Sequence, residues 1–134
     1  MSPKNKVIEY NDIVKILSKE FPDFKIDEEI LDLPYVVAGS FARYLLECYK
    51  TKSLDKLKLG LDFVEKLHVH GDNKTKELAT MGFLEGIQNV WGNKGVDSEL
   101  IFNQLGKESK KWWKQLNKFW QAEIKYVGET IDEE

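Results

Sequence analysis

Between Pro34 and Lys50 the chain reads PYVVAGSFARYLLECYK. At about 100° per residue, only Ser40, Arg43, Glu47 and Lys50 interrupt an otherwise apolar surface, and they fall on one strip. A surface helix shows a single apolar stripe, so this pattern predicts a central helix enclosed by its neighbours. Pro34 suits a first helical turn, where its missing N–H has no partner to lose. Ala38, Gly39 and Ala42 leave small steps where another backbone can come close.

The remaining pattern predicts helices on both sides of this one. Ile8, Ile13, Ile16 and Leu17, with Val14 beside them, have helical spacing from Val7, and Asn11 or Asp12 sits at the start. Pro22 ends that helix by Phe21. Asp23 to Leu33 reads as an acidic connection with one helical turn. Ser53 is placed as the N-cap of a helix from Leu54 to about His68, built on Leu57, Leu61, Val64 and His68. Gly71 is expected to close it in a left-handed conformation. Asp72 or Asn73 then caps a helix to about Trp91, with Ala79, Phe83, Ile87 and Val90 as its core line. Gly92-Asn93-Lys94-Gly95 is a break. Asp97 or Ser98 starts a short helix with Leu100, Ile101 and Leu105 turned inward, which Gly106 stops or bends.

The last helix, from about Lys107 to Tyr126, separates two arcs. One holds Trp112, Trp113, Leu116, Phe119, Trp120, Ile124 and Val127, read as a buried stripe; the other holds Lys107, Lys110, Lys111, Lys114, Lys118 and Lys125. No segment of useful length has strand periodicity. The expected fold is therefore all-α, one domain over residues 1–134 of five to six helices around 34–50. Either a bundle or a short helical-repeat stack satisfies the pattern. Residues 1–6 and 128–134 are expected to be flexible ends.

Composition narrows the function more than it defines it. A 134-residue chain that is 42% hydrophobic and 32% charged is a folded globular protein rather than a disordered one. Its net charge of −3 argues against a dedicated nucleic-acid binder, which needs a basic excess. Cys48, the one cysteine, lies in the central helix and reads as a small buried hydrophobe. The first ten residues lack the apolar core of a secretory signal and no apolar run spans a bilayer, which predicts a cytoplasmic protein without a membrane partner.

Candidate chemistry is sparse. His68, His70 and Asp72 lie close together in LHVHGD, but histidines at i and i+2 on a helix diverge, and no second ligand cluster accompanies them. A helix end where His68 packs and His70 meets the negative dipole is the better reading. Glu65 and His68 form an E-x-x-H pair, yet the second pair of a di-metal bundle is missing. Ser40 lies in no nucleophile motif, and the glycines make no phosphate loop. No catalytic residue, metal or cofactor is assigned. Two charged surfaces remain. Asp27, Glu28, Glu29 and Asp32, with Glu77 and Glu85, form the candidate surface for a basic protein partner. The lysine face of the last helix, Lys107, Lys110, Lys111, Lys114 and Lys118, is the alternative, for nucleic acid or an acidic partner.

Gly39, Phe41, Ala42, Arg43 and Tyr44, the LDFVE segment, Gly71-Asp72, Gly82-Phe83-Leu84-Glu85 and Leu105-Gly106 carry a resemblance over about residues 34–120. The chain resembles a family of small bacterial all-helical proteins of unassigned function. Where relatives have a proline after the glycine of the last break, this chain has Lys107. The resemblance brings no catalytic motif. Members resemble the small immunity proteins encoded beside polymorphic or contact-dependent toxins, which implies a non-enzymatic module that neutralises a cognate toxin. A helical regulatory or nucleic-acid-associated protein is the alternative.

Overall fold

The structure, a computed structural model, describes residues 7–133, with side chains to Ala122. Helix α1 (Ile13–Glu20) follows a 3-10 turn at Tyr10–Asp12, and α2 (Pro34–Lys50) follows another at Glu28–Ile30. After α3 (Leu54–His70), a single helical run contains α4 (Asn73–Glu77), a π-helical segment (Leu78–Leu84) and α5 (Glu85–Asn93). A 3-10 helix at Ser98–Gln104 leads to α6 (Lys107–Glu133). Six α-helices and, among the described residues, no strand confirm the all-α class. The fold is a bundle: α3, the π segment and α5 all pack on α2 and share one core with it.

Helix α2 matches its expected limits and buries Val37, Ala38, Phe41, Ala42, Leu45, Leu46 and Cys48. Its enclosure is incomplete, because Tyr35 and Val36 in the first turn are 42% and 45% exposed. Phe41 is the hub of an aromatic group, 5.1 Å from Phe21 and from Phe24 and 5.8 Å from Phe83, all edge to face, the favoured arrangement for ring quadrupoles. At the other end the buried Trp91 donates its indole N–H to Ala42 O at 3.1 Å, so the large ring carries no orphan donor into the core.

Several expectations are corrected. Residues 7–9 are not helical: Ile8 N donates to His70 O at 2.8 Å and Ile8 O accepts from Asp72 N at 2.9 Å, which holds this stretch against the α3–α4 turn. Gly71 is extended (φ −80°, ψ 158°), not left-handed. Its need for glycine is steric, since a Cβ there would collide with Thr75 and with the Leu67 carbonyl. Ser53 makes no side-chain cap; Thr51 Oγ1 instead bonds Glu47 O at 2.8 Å, and Lys52 supplies the left-handed residue (φ 62°) after α2. Asp72 and Asp97 do cap, accepting from Thr75 N and Glu99 N.

Leu100 is exposed while Ile101 and Leu105 are buried, because tighter 3-10 winding turns Leu100 outward. Among the described side chains of the expected α6 stripe, Trp113 and Leu116 are buried, while Trp112, Phe119 and Trp120 are exposed. The helix backbone runs on to Glu133, past the expected end near Tyr126. The expectations for residues 1–6 and Glu134, and for the side chains of Ile124, Lys125 and Val127, lie outside the described residues. No helix among the described residues is long and apolar enough to cross a membrane.

Because the Leu67 carbonyl is backbone and cannot swing aside, Gly71→Ala is expected to destabilise the fold by about 2 kcal/mol in urea unfolding. An unchanged midpoint would show that the α3–α4 turn has slack.

Candidate functional site

The α6 N-terminus opens with N–H groups that lack intrahelical partners. Gly106 lets α3 come so near that Glu65 supplies them: Oε2 accepts from Glu108 N at 3.0 Å and Oε1 from Ser109 N at 2.8 Å. A Cβ on Gly106 would collide with the Glu65 side chain. Burial alone would raise the Glu65 carboxyl, but these two N–H donors and the Ser109 hydroxyl outweigh it and hold the group below its ordinary value. A carboxylate from another helix thus fixes the start of α6.

One turn further along α3, His68 is buried with both ring nitrogens engaged. Nδ1 lies 3.0 Å from Ser109 Oγ and Nε2 2.8 Å from Thr80 Oγ1. A neutral imidazole donates through one nitrogen and accepts through the other, so each hydroxyl completes one of the two roles. Desolvation lowers the His68 pKa to about 4 against the opposing pull of Glu65 and Glu108, so the ring is neutral at pH 7. The spacing Glu65-x-x-His68, with no second pair to complete a metal site, thus serves a relay of hydrogen bonds joining α3, α6 and the π segment. Thr80 and Ser109 had no sequence signal, since neither lies near His68 in the chain.

Thr80 also lines a cleft of about 470 Å³ between the π segment and the start of α6. Its other walls are His68, Lys76, Glu77, Met81, Glu108, Lys111 and Trp112. Trp112 and Met81 are 38% and 43% exposed there, whereas the neighbouring Trp113 is fully enclosed.

The sequence-predicted acids divide into two sets. Asp27, Glu28, Glu29 and Asp32 are exposed around the 3-10 turn before α2, interleaved with exposed Leu31 and Leu33. Glu77 joins them through Tyr35, whose hydroxyl donates to Glu77 Oε1 at 3.3 Å. Burial raises the Tyr35 pKa, and the nearby Glu77 and Glu85 charges add to it. Glu85 is half-buried, and burial raises its carboxyl as well. The lysines are not a bare solvated face. Lys110 and Lys114 each stand 5.7 Å from the Phe102 ring centre, and Lys111 stands 5.2 Å from that of Trp112. Lys107 and Lys118 are exposed.

The His68 geometry has a consequence in solution. Above pH 6.5 the ring is neutral in folded and unfolded chains alike. As pH falls below 6.5, the unfolded chain binds a proton that the fold refuses until about pH 4, so stability is lost across that window, by roughly 3 kcal/mol in all. His68→Gln is expected to remove this part of the pH dependence, measured by urea unfolding at intervals from pH 7 to 4. An equal slope in the variant would place the cause elsewhere.

No curated protein matches the chain, and no solved structure does. Residues 14–121 match the family described as a domain of unknown function, DUF7674, and include every residue named in the cleft, the relay and the acidic face. The chain belongs to the DUF7674 family.

Proposed function

We propose that the chain is a non-enzymatic protein-binding module that holds a basic partner on its acidic face, and that this partner is a toxin it neutralises by covering the toxin's working surface. The observation that carries this reading is the face itself. Leu31, Leu33, Tyr35 and Val36 are exposed together at the start of α2, and Asp27, Glu28, Glu29, Asp32 and Glu77 surround them. An apolar and aromatic centre with a charged rim is the anatomy of a protein interface. The single sign of the rim adds steering toward a basic surface, since complementary charge speeds encounter and selects the partner. The likeness to small bacterial immunity proteins supplies the kind of partner, and a cytoplasmic location is part of the proposal. The His68 relay, with each polar atom satisfied by another, supports a structural role for the one polar cluster that could have suggested catalysis.

A second reading draws on the cation–π pairs of α6: Lys110, Lys111 and Lys114 beside exposed Trp112 and half-buried Phe102 resemble a nucleic-acid surface. The two readings part in one set of measurements. The product of the adjacent gene is expected to form a stable complex with this chain. Asp27→Lys with Asp32→Lys is expected to weaken that complex at least tenfold, mostly through slower association, and Leu33→Asp through faster dissociation. Absence of a complex, together with salt-dependent RNA binding that Lys111→Glu and Lys114→Glu abolish, would decide for the second reading.

A further inference from the structure

Opposite charges lie side by side on this molecule. Tyr35, in the first turn of α2, donates to Glu77 Oε1 at 3.3 Å, which ties the acidic face to the end of α4. Glu77 is in turn a wall of the cleft whose far side is the start of α6, with Lys111 and Trp112. The acids just ahead of Tyr35 in the chain and the exposed Lys111 and Lys118, seven residues apart on one side of α6, thus flank a common cleft. Neither Asp27, Glu28, Glu29 and Asp32 nor these two lysines form an ion pair among the described residues. The cleft lining is itself balanced: Lys76 and Lys111 stand with Glu77 and Glu108 around exposed Met81 and Trp112. Equal numbers of each sign favour neither an anion nor a cation as occupant. They do suit a surface of the same composition.

We propose that this face is the interface of a homodimer, a second copy lying across the cleft on a two-fold axis so that the acids of each chain meet the α6 lysines of the other. A two-fold contact sets one patch against itself, so its charges attract only if the signs differ on the two sides of the axis. Here they do. Leu31, Leu33, Tyr35 and Val36 on one side, Met81 at the cleft, and Trp112 and Phe119 on the other supply exposed apolar area, and the charges supply the rim. With charge so prominent the contact is an exchanging one, since obligate interfaces are more apolar. Its consequence for the acidic face is competition, because any basic partner must displace the second copy. The inference does not depend on what that partner is.

The test is the mass of the full chain in solution, by sedimentation velocity from about 1 to 500 µM. A monomer–dimer equilibrium is expected, weakened by added salt because its ion pairs are screened. Lys111→Glu with Lys118→Glu, and separately Glu28→Lys with Asp32→Lys, are each expected to weaken the dimer at least about tenfold. An equimolar mixture of the two variants is expected to restore it, since the like charges that face each other within either variant become opposite pairs between them. In the unmodified chain the Trp112 indole N–H resonance is expected to shift on dilution while those of the buried Trp91 and Trp113 stay in place. The last two signals also report whether each variant is folded; if one is not, the dilution shift of Trp112 decides. A monomer at every concentration, a dimer indifferent to both reversals, or a mixture of folded variants that stays monomeric would overturn the proposal. A monomeric chain that still binds a basic partner removes the dimer and leaves the binding reading, whereas a dimer without any such complex does the reverse.

Discussion

Close approach of backbones to α2 is the constraint on which the other contacts depend. Helix α3, the π segment and α5 each carry a glycine toward it. A Cβ on Gly60 of α3 would stand 2.5 Å from Leu45 Cδ2, and one on Gly82 of the π segment 3.3 Å from Ala38 Cβ. At Gly86 of α5 the approach is looser, since an added Cβ would lie 3.7 Å from Ala42 Cβ and the Ala38 carbonyl, an ordinary contact. Interiors pack at crystal-like density, so a larger side chain at Gly60 or Gly82 would have to displace Leu45 or Leu78 and loosen the core they share. The edge-to-face rings around Phe41 and the Trp91 bond to Ala42 O form only at that spacing.

The π segment follows from serving two sides at once. Toward α2 it must present Gly82, and toward α3 and α6 it must bring Thr80 to His68. An α-helix buries one stripe, whereas here Leu78, Ala79, Gly82, Phe83 and Leu84 are all buried and Thr80 is half-buried. Wider winding, with one extra residue to the turn, spreads inward positions around more of the circumference. The exposed Met81 and the cleft beside it are a by-product of the same geometry. Irregular winding and the cleft beside the buried His68 therefore share a cause, the need to meet α2 on one side and the polar relay on the other.

Local pattern made much of the fold legible. The apolar circumference and Pro34 gave α2 its limits, Asp72 its role as a cap, and Gly92 to Gly95 the break before the 3-10 helix, because each depends on residues within a turn or two of one another. What escaped depends on distant partners. Ile8 is extended because His70 and Asp72 are there to bond it, Gly71 is fixed by Thr75 rather than by its own φ, and winding at Leu78–Leu84 answers His68 and α2 together. The α6 stripe was overread for the same reason: periodicity shows which residues share a face, not how far a neighbour extends to cover it. The candidate acids were legible as charge; that Tyr35 joins Glu77 to them was not.

Charge on this molecule acts at two depths. Glu65 is used up inside, fixing the start of α6, and its negative charge is answered by N–H groups and a hydroxyl rather than by a cation. His68 beside it stays neutral, so the relay adds no second charge to the interior. Removing either residue would leave buried polar groups without partners, which accounts for an E-x-x-H pair in a protein with no second pair to make a metal site. The acids from Asp27 to Asp32 answer no ion pair among the described residues, while Lys56, Lys58 and Lys66 are paired to Asp23, Asp62 and Glu20. Acids left unpaired around exposed Leu31, Leu33 and Val36 contribute nothing to the fold that neutral polar residues would not. That unpaired charge around exposed apolar side chains is what the proposed basic partner would engage.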